Sequence, residues 1–317
     1  MAGFLIVLLS SVFFCLQNIV VRVLFQEQTI LGAFQTGGFV APTFQNSFLL
    51  MFLRMVVVVP LMAAIMPTLH ADTWQDFRRL RQQASRPALL RAIAGGGLMF
   101  LYLALLYVSI GLIPTGIALT LFFTYPVFTA LFAWGWFGAR PSPFRWGVMG
   151  LILLGSVLTM PHSQPDADSS LWLGVALGIA SGVVYALYTV NAQKSFETLH
   201  PVPFTWMSFA VALVLSAGSL GVWPVQGAGL AWPELWIGSL ISAIATLTGH
   251  LLNNFGIRLV GATTASMVGA TNPALTVLVA WFAIQETLNG LQVLGIIVVT
   301  FSVALLSRDR SLHKQTS

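Results

Sequence analysis

The chain runs to 317 residues, 57% of them hydrophobic and only 7% charged, with a formal net charge of +5. A soluble domain carries about 25% charged residues, so a water-exposed surface cannot be assembled from this composition. Nor does the positive balance point to nucleic acid: no basic patch alternates with aromatics, and the basic residues stand at the ends of apolar runs, where they serve membrane topology.

In chain order, apolar runs of about 20 residues, enough to cross a ~30 Å hydrocarbon core, fall at 3–25, 48–66, 88–108, 114–137, 144–161, 171–192, 203–223, 234–256, 262–284 and 289–306. The expected fold class is an all-α integral membrane protein of ten transmembrane helices. Residues 1–25 lack a basic leader and a small-x-small cleavage site, so they are expected to be a retained first helix. Cys15, the single cysteine, excludes a disulfide or a cysteine-based metal site within one chain. No cofactor and no metal are expected.

The charges orient the spans. Arg78, Arg79, Arg81, Arg86 and Arg91 lie between spans two and three, and Arg140 and Arg145 between four and five. Lys194 follows span six, Arg258 lies between eight and nine, and Arg308, Arg310 and Lys314 close the chain. All fall on one side if both termini are cytoplasmic, and the opposite loops carry no Lys or Arg, as the positive-inside rule demands. The expected location is a cell membrane, crossed many times, with a bacterial inner membrane as its compartment.

The chain also repeats itself. With an offset of 147 residues, Ile110, Leu112, Ala118, Thr124, Pro126, Thr129, Leu131, Ala133 and Trp134 meet identical residues, and Pro126 meets Pro273. Gly3–Val23 aligns more loosely with Gly174–Lys194. Five spans per half is an odd number, so the halves face opposite ways as an inverted repeat. The division is 1–161 for the first half with an outer loop at 26–47, a linker at 162–170, 171–307 for the second half, and a cytoplasmic tail at 308–317.

The second half carries Ala265-Ser-Met-Val-Gly-Ala-Thr-Asn-Pro-Ala-Leu-Thr, then Trp281-Phe-Ala-Ile-Gln-Glu286 and Gly295; the first half shows Pro126, Gly150 and Phe52-Leu53-Arg54. These residues, across ten spans, resemble the ten-span EamA branch of the drug/metabolite transporter superfamily over essentially the whole chain. The resemblance implies a central cavity walled by both halves, opened alternately to each side, and export of amino acids, drugs or metabolites. Two features depart from the pattern: Ala139-Arg140 stands where the second half has Glu286, and the loop at 26–47 is long, so it either folds over the outer mouth or stays disordered.

Inside lipid, ionisable residues are rare and mark functional pathways unless they snorkel. Arg22 lies near the outer end of span one and is expected to snorkel. Arg54, about two turns into span two, either holds a helix through backbone carbonyls or faces an anionic part of a substrate; the structural role is favoured. Thr246, His250, Asn253 and Asn254 form a polar stripe on span eight. His250 is either an interhelical hydrogen-bonding group or a cavity group that binds substrate or carries a coupling proton, and the breadth of the stripe favours the cavity. Asn18, Tyr102, Thr120, Thr124, Tyr185, Tyr188 and Asn272 are the other candidate cavity residues, since amides and phenols orient a ligand without burying unpaired charge. Pro126 and Pro273 free the carbonyls of Phe122 and Gly269, as hinges or as static kinks, whereas Gly174, Gly178 and Gly182 suit close helix packing.

No Asp or Glu lies deep in a span, which argues against a carboxylate-coupled cation antiporter. The expected function is a secondary transporter exporting a small amino-acid-like, neutral, zwitterionic or amphipathic solute, working as a monomer or homodimer. The alternative is a membrane-embedded enzyme acting on a lipid or peptide, but neither Gly-x-Ser-x-Gly nor His-Glu-x-x-His occurs. An ATP-driven pump is excluded for this chain by the lack of a phosphate-binding Gly-x4-Gly-Lys-Ser/Thr, and no charged ring suggests a channel.

Overall fold

A computed structural model describes residues 2–41, 43–80, 82, 86–113, 115–159, 170–225, 230–283 and 289–315. Hydrophobic length dictates the architecture. Among the described residues, eight segments are long and apolar enough to cross a membrane, and two shorter apolar helices, Pro143–Leu158 and Gly290–Leu305, accompany them. In bilayer oil each backbone polar group must be satisfied within its own segment, so the long runs are helical: α1 (Ala2–Phe25), α2 (Phe44–Leu69), α4 (Arg86–Leu112), α8 (Ser170–Ser195), α9 (Pro201–Val222) and α10 (Trp232–Val260). Two more runs are each split, into α5 (Thr115–Phe122) and α6 (Tyr125–Phe137), and into α11 (Ala262–Gly269) and α12 (Asn272–Ala283). The shorter pair belongs to α7 (Pro143–Thr159) and α13 (Gly290–Gln315). Large apolar side chains such as Trp172, Val214, Ile237 and Phe282 are exposed on the outside of the bundle, the surface a lipid solvent requires.

The splits sit where the prolines demand. Pro126 occupies the first turn of α6, where its missing N–H costs nothing, and Pro273 opens α12 in the same way. The non-helical residues are Phe123 and Thr124 in one case and Ala270 and Thr271 in the other, which the 147-residue offset superposes. Neither proline merely bends a continuous helix: each begins a new one.

Two elements depart from the sequence expectation. The loop at 26–47 is neither helical nor irregular throughout: β1 (Glu27–Ile30) pairs antiparallel with β2 (Phe34–Gly37), Ile30 opposite Phe34. Leu31 and Gly32 both take positive φ, 50° and 71°, as a tight hairpin turn requires. The hairpin is a small addition to an otherwise helical membrane protein, and it is fastened at both ends. Gly38 and Val40 donate to the carbonyls of Val23 and Leu24, and Leu31 N–H donates to Ala283 O of α12 at 2.9 Å. The second addition is α3 (Thr73–Leu80), a short amphipathic helix in the arginine-rich connection, which packs Phe77 edge-on against Trp206 of α9 at 5.3 Å.

At the C-terminus the helix extends to Gln315, so the segment taken as a tail is largely helical. Of the expected linker 162–170, only Ser170 is described, as the first residue of α8; residues 162–169 lie outside the described residues, as does Glu286.

Packing is organised by exchanged pairs. α1 lies along α10, and α8 lies along α4; α12 meets α1 as α6 meets α8; α7 pairs with α13, and α2 with α9. Small residues permit the approach. A Cβ on Gly3 would lie 2.5 Å from Val260 and 2.8 Å from Leu259; on Gly174, 2.5 Å from Ile113 and 3.1 Å from Leu112. Leu112 and Ile113 are the 147-residue counterparts of Leu259 and Val260.

Candidate functional site

The two helix interruptions come together in the middle of the bundle, with α6 packed on α11. The Tyr125 hydroxyl closes on Gly269, 2.6 Å from where a Cβ would stand. On the other flank, the Phe122 carbonyl that Pro126 releases stands over Gly182 of α8, 2.8 Å from a Cβ position there. Gly182 is thus a packing residue whose missing side chain makes room for freed backbone, and Gly174 and Gly178 continue that face against Ile113 and Leu121.

Side chains from elsewhere hold the α11–α12 break. Ser156 of α7 donates to Ala270 O at 3.2 Å. The Cys15 thiol donates to Asn272 O at 3.5 Å and accepts from the Thr276 hydroxyl at 3.2 Å. Re-satisfying broken backbone from neighbouring helices is how a membrane interior tolerates an interruption. Thr124 does this locally, its hydroxyl donating to Leu121 O at 2.6 Å.

Around the first break lies an aromatic cluster. Tyr185 of α8 is edge-on to Tyr125 at 4.6 Å and to Tyr102 of α4 at 4.9 Å; Phe122 is 5.4 Å from Tyr185, and Tyr188 6.0 Å. Edge-to-face pairs at this spacing contribute beyond their buried area, and they give the centre a wall of rigid phenols.

The polar stripe on α10 divides into two kinds of residue. Asn254 is fully used: its Nδ2 donates to Thr205 Oγ1 at 2.8 Å, and its amide faces the Tyr188 hydroxyl at 3.3–3.4 Å. Thr246 donates to Gln17 Oε1 of α1 at 2.6 Å. These are interhelical ties. His250 Nδ1 and Asn253 Nδ2, by contrast, are buried without a hydrogen-bond partner, as is Asn272 Oδ1 at the second break. Buried polar atoms are almost always paired, so orphans gathered on α10 and α12 mark groups that await something. His250 is framed by Phe14 of α1 at 4.9 Å and Phe209 of α9 at 5.6 Å.

Of the sequence-predicted residues, Tyr102, Tyr185, Tyr188 and Asn254 are joined by direct contacts, and Asn253 adjoins Asn254 on α10. Thr124 flanks the first break, Asn272 the second, and His250 sits one turn from Asn253 and Asn254. Thr120 is half-buried on α5, and Asn18 is exposed on α1, tied to none of these groups by a contact described above. Sequence reasoning offered Tyr125 with the phenols of span four but passed over Phe122 as a wall residue, although both belong to the repeated phrase. It also missed a histidine pair on the arginine-rich side: His70, which ends α2, stacks on His200, which caps α9, at 4.0 Å and 11°. Among the described residues no group of three His, Cys, Asp or Glu could hold a metal ion.

The chain matches the model of the EamA-like transporter family over residues 1–160 and again over 172–308. It is 55% identical to an uncharacterized transporter of Synechocystis sp., over 97% of this chain and 94% of that one. It is 25% identical to the threonine/homoserine exporter RhtA of Escherichia coli K12, over 75% and 77% of the two chains. A solved crystal structure superposes with a TM-score of 0.72 at 16% identity, covering 96% of this chain and 97% of that one, which speaks for the fold alone.

Proposed function

The chain belongs to the EamA-like transporter family, and from that premise we propose that it is a secondary transporter moving a small amino-acid-like solute outwards. Ten spans form two inverted five-helix repeats, with both termini in the cytoplasm, and the solute crosses by alternating access between them. The observation that carries this reading is the meeting of the two helix interruptions, Tyr125 against Gly269, beside buried polar atoms that have no partner. Matched broken helices at mid-membrane are the usual setting of a transporter's binding site. The exchanged helix pairs support the repeat, since α1 with α10 and α12 is mirrored by α8 with α4 and α6, the two halves changing places. The name of the RhtA relative, a threonine/homoserine exporter, supports both the solute class and the direction.

Tyr102, Tyr185, Tyr188, Asn253 and His250 form the wall that recognises the solute, and the breaks at Pro126 and Pro273 are its hinges. Counterflow in proteoliposomes, loaded with amino acids, amines, nucleosides or dyes in turn, tests the reading. Saturable exchange of a neutral amino acid is expected, with His250→Ala raising KM about tenfold, the loss of one hydrogen bond of ~1.4 kcal/mol. Exchange of no solute, alongside turnover of a lipid or peptide, would replace the transporter with an enzyme.

A further inference from the structure

Among the described residues, one buried charge in the bundle has no counter-charge opposite it. Arg54 lies about 15 Å along α2 from Phe44, at ~1.5 Å per residue, and is 2% exposed, among the largest fully buried side chains of the protein. Its Nε has no hydrogen-bond partner, and among the described residues no ion pair reaches its guanidinium; the ion pairs there involve Asp76 and Glu197 on the arginine-rich side. Nor does a backbone carbonyl take the role expected from sequence, of holding a helix: among the described residues no hydrogen bond runs from Arg54 to any main-chain oxygen.

A cation left this way is expensive, because an ion taken out of water costs several kcal/mol unless a counter-charge replaces its hydration. Arginine stays cationic at physiological pH, so it cannot relieve the cost by losing a proton. α2 packs on α10 and on α4, and Arg54 is buried on it, which sets the guanidinium inside the bundle with the helices that carry His250 and Tyr102 and not at the lipid surface. Asn253 Nδ2, an amide donor, is orphaned on that wall together with His250 Nδ1, and among the described residues no Asp or Glu stands there.

We propose that Arg54 is the fixed counter-charge of the transport site and binds a carboxylate of the transported solute, an inference that rests on the transporter reading above. The count of charges selects the anion. One guanidinium balances one negative charge, whereas a phosphate dianion would leave a second charge unpaired at membrane depth. A planar carboxylate also accepts two parallel hydrogen bonds from a guanidinium.

The test uses two independent readouts on the purified full-length protein. In proteoliposome counterflow, amino acids are compared with their carboxamides, their decarboxylated amines and inorganic phosphate. In thermal unfolding, the same compounds are added to wild type, Arg54→Met and Arg54→Lys. The expected results are exchange confined to carboxylate-bearing solutes, KM raised about 30- to 100-fold in Arg54→Met from loss of a charge-assisted contact, and a smaller rise in Arg54→Lys. Ligand-free Arg54→Met should be at least as heat-stable as wild type, and carboxylates should raise the melting temperature of wild type but not of that variant. Equal transport of carboxamides, preference for phosphate, or no carboxylate-induced stabilisation of wild type would overturn the proposal. So would an Arg54→Met that melts well below wild type without ligand, the mark of a structural arginine. Carboxylate stabilisation that depends on Arg54 without any counterflow would retain the site and sink the transporter reading instead.

Discussion

His200 does three things at once. It caps α9, its Nδ1 accepting from Val202 N–H at 3.3 Å; it stacks on His70; and it is 5.5 Å from Phe255 of α10. Accepting that bond requires an unprotonated nitrogen. Burial holds its pKa down at about 4, helped by the charges of His70 and Arg258 and opposed by Asp76. Asp76 is engaged with His70 at 2.9 Å. Because the folded pKa lies below the ordinary 6.5, the neutral form is the one the fold selects. The associated stability is therefore fully present above about pH 6.5 and is lost as pH falls towards 4. The melting temperature should decline across that window in wild type, and His200→Asn, which keeps a capping group without titrating, should flatten the decline. An unchanged slope would assign the acid sensitivity elsewhere. Sequence alone showed His200 only as a residue before Pro201; its partner lies 130 positions away, and no local pattern announces such a stack. The same limit governed the α10 stripe: spacing placed Thr246, His250, Asn253 and Asn254 on one helix, but only their neighbours separate ties from orphans.

At the level of elements, the helix breaks were legible and the hairpin was not. A proline inside an apolar run leaves few outcomes, and its repetition at a fixed offset identified both interruptions. The hairpin at 27–37 depends on main-chain bonds to Val23, Leu24 and Ala283, which composition does not encode; Leu31-Gly32 was the one local signal of a turn. The small face of α8 was legible as packing, and the structure adds what it packs on. Gly182 lies against the Phe122 carbonyl, and backbone cannot retreat as a flexible side chain can. Gly182→Val should therefore destabilise the protein by roughly the 1–3 kcal/mol of overpacking and slow counterflow, whereas Gly218→Val, at a glycine with nothing within 4 Å, should leave both unchanged. Equal behaviour of the two variants would show that the α8–α5 contact yields easily.

For the whole molecule, the exchange of helices between halves decides which parts can move together. Val7 on α1 fills the space left by Gly256 on α10; at the counterpart positions Gly178 on α8 receives Ser109 of α4, whose hydroxyl lies 3.0 Å from a Cβ position. Bulk and glycine have changed places between the two contacts, yet both remain closed, as do Gly3 on Leu259–Val260 and Gly174 on Leu112–Ile113. Contacts this close over successive turns are those of rigid pairs, because packed cores shift between discrete arrangements and do not stretch. Motion should then run between the α1–α10 and α4–α8 pairs and not within them. The hairpin stays on one side of that division, since it is tied to α1 and Leu31 bonds Ala283 of α12, which packs on α1. In a Cys15→Ser background, cysteine pairs at Val7 and Gly256, or at Ser109 and Gly178, should form disulfides that leave counterflow within twofold of the reduced protein. A pair at Leu31 and Ala283, which closes the hairpin onto the α1 side, should do the same. Arrest by any of the three would place the moving boundary inside a unit that these contacts close.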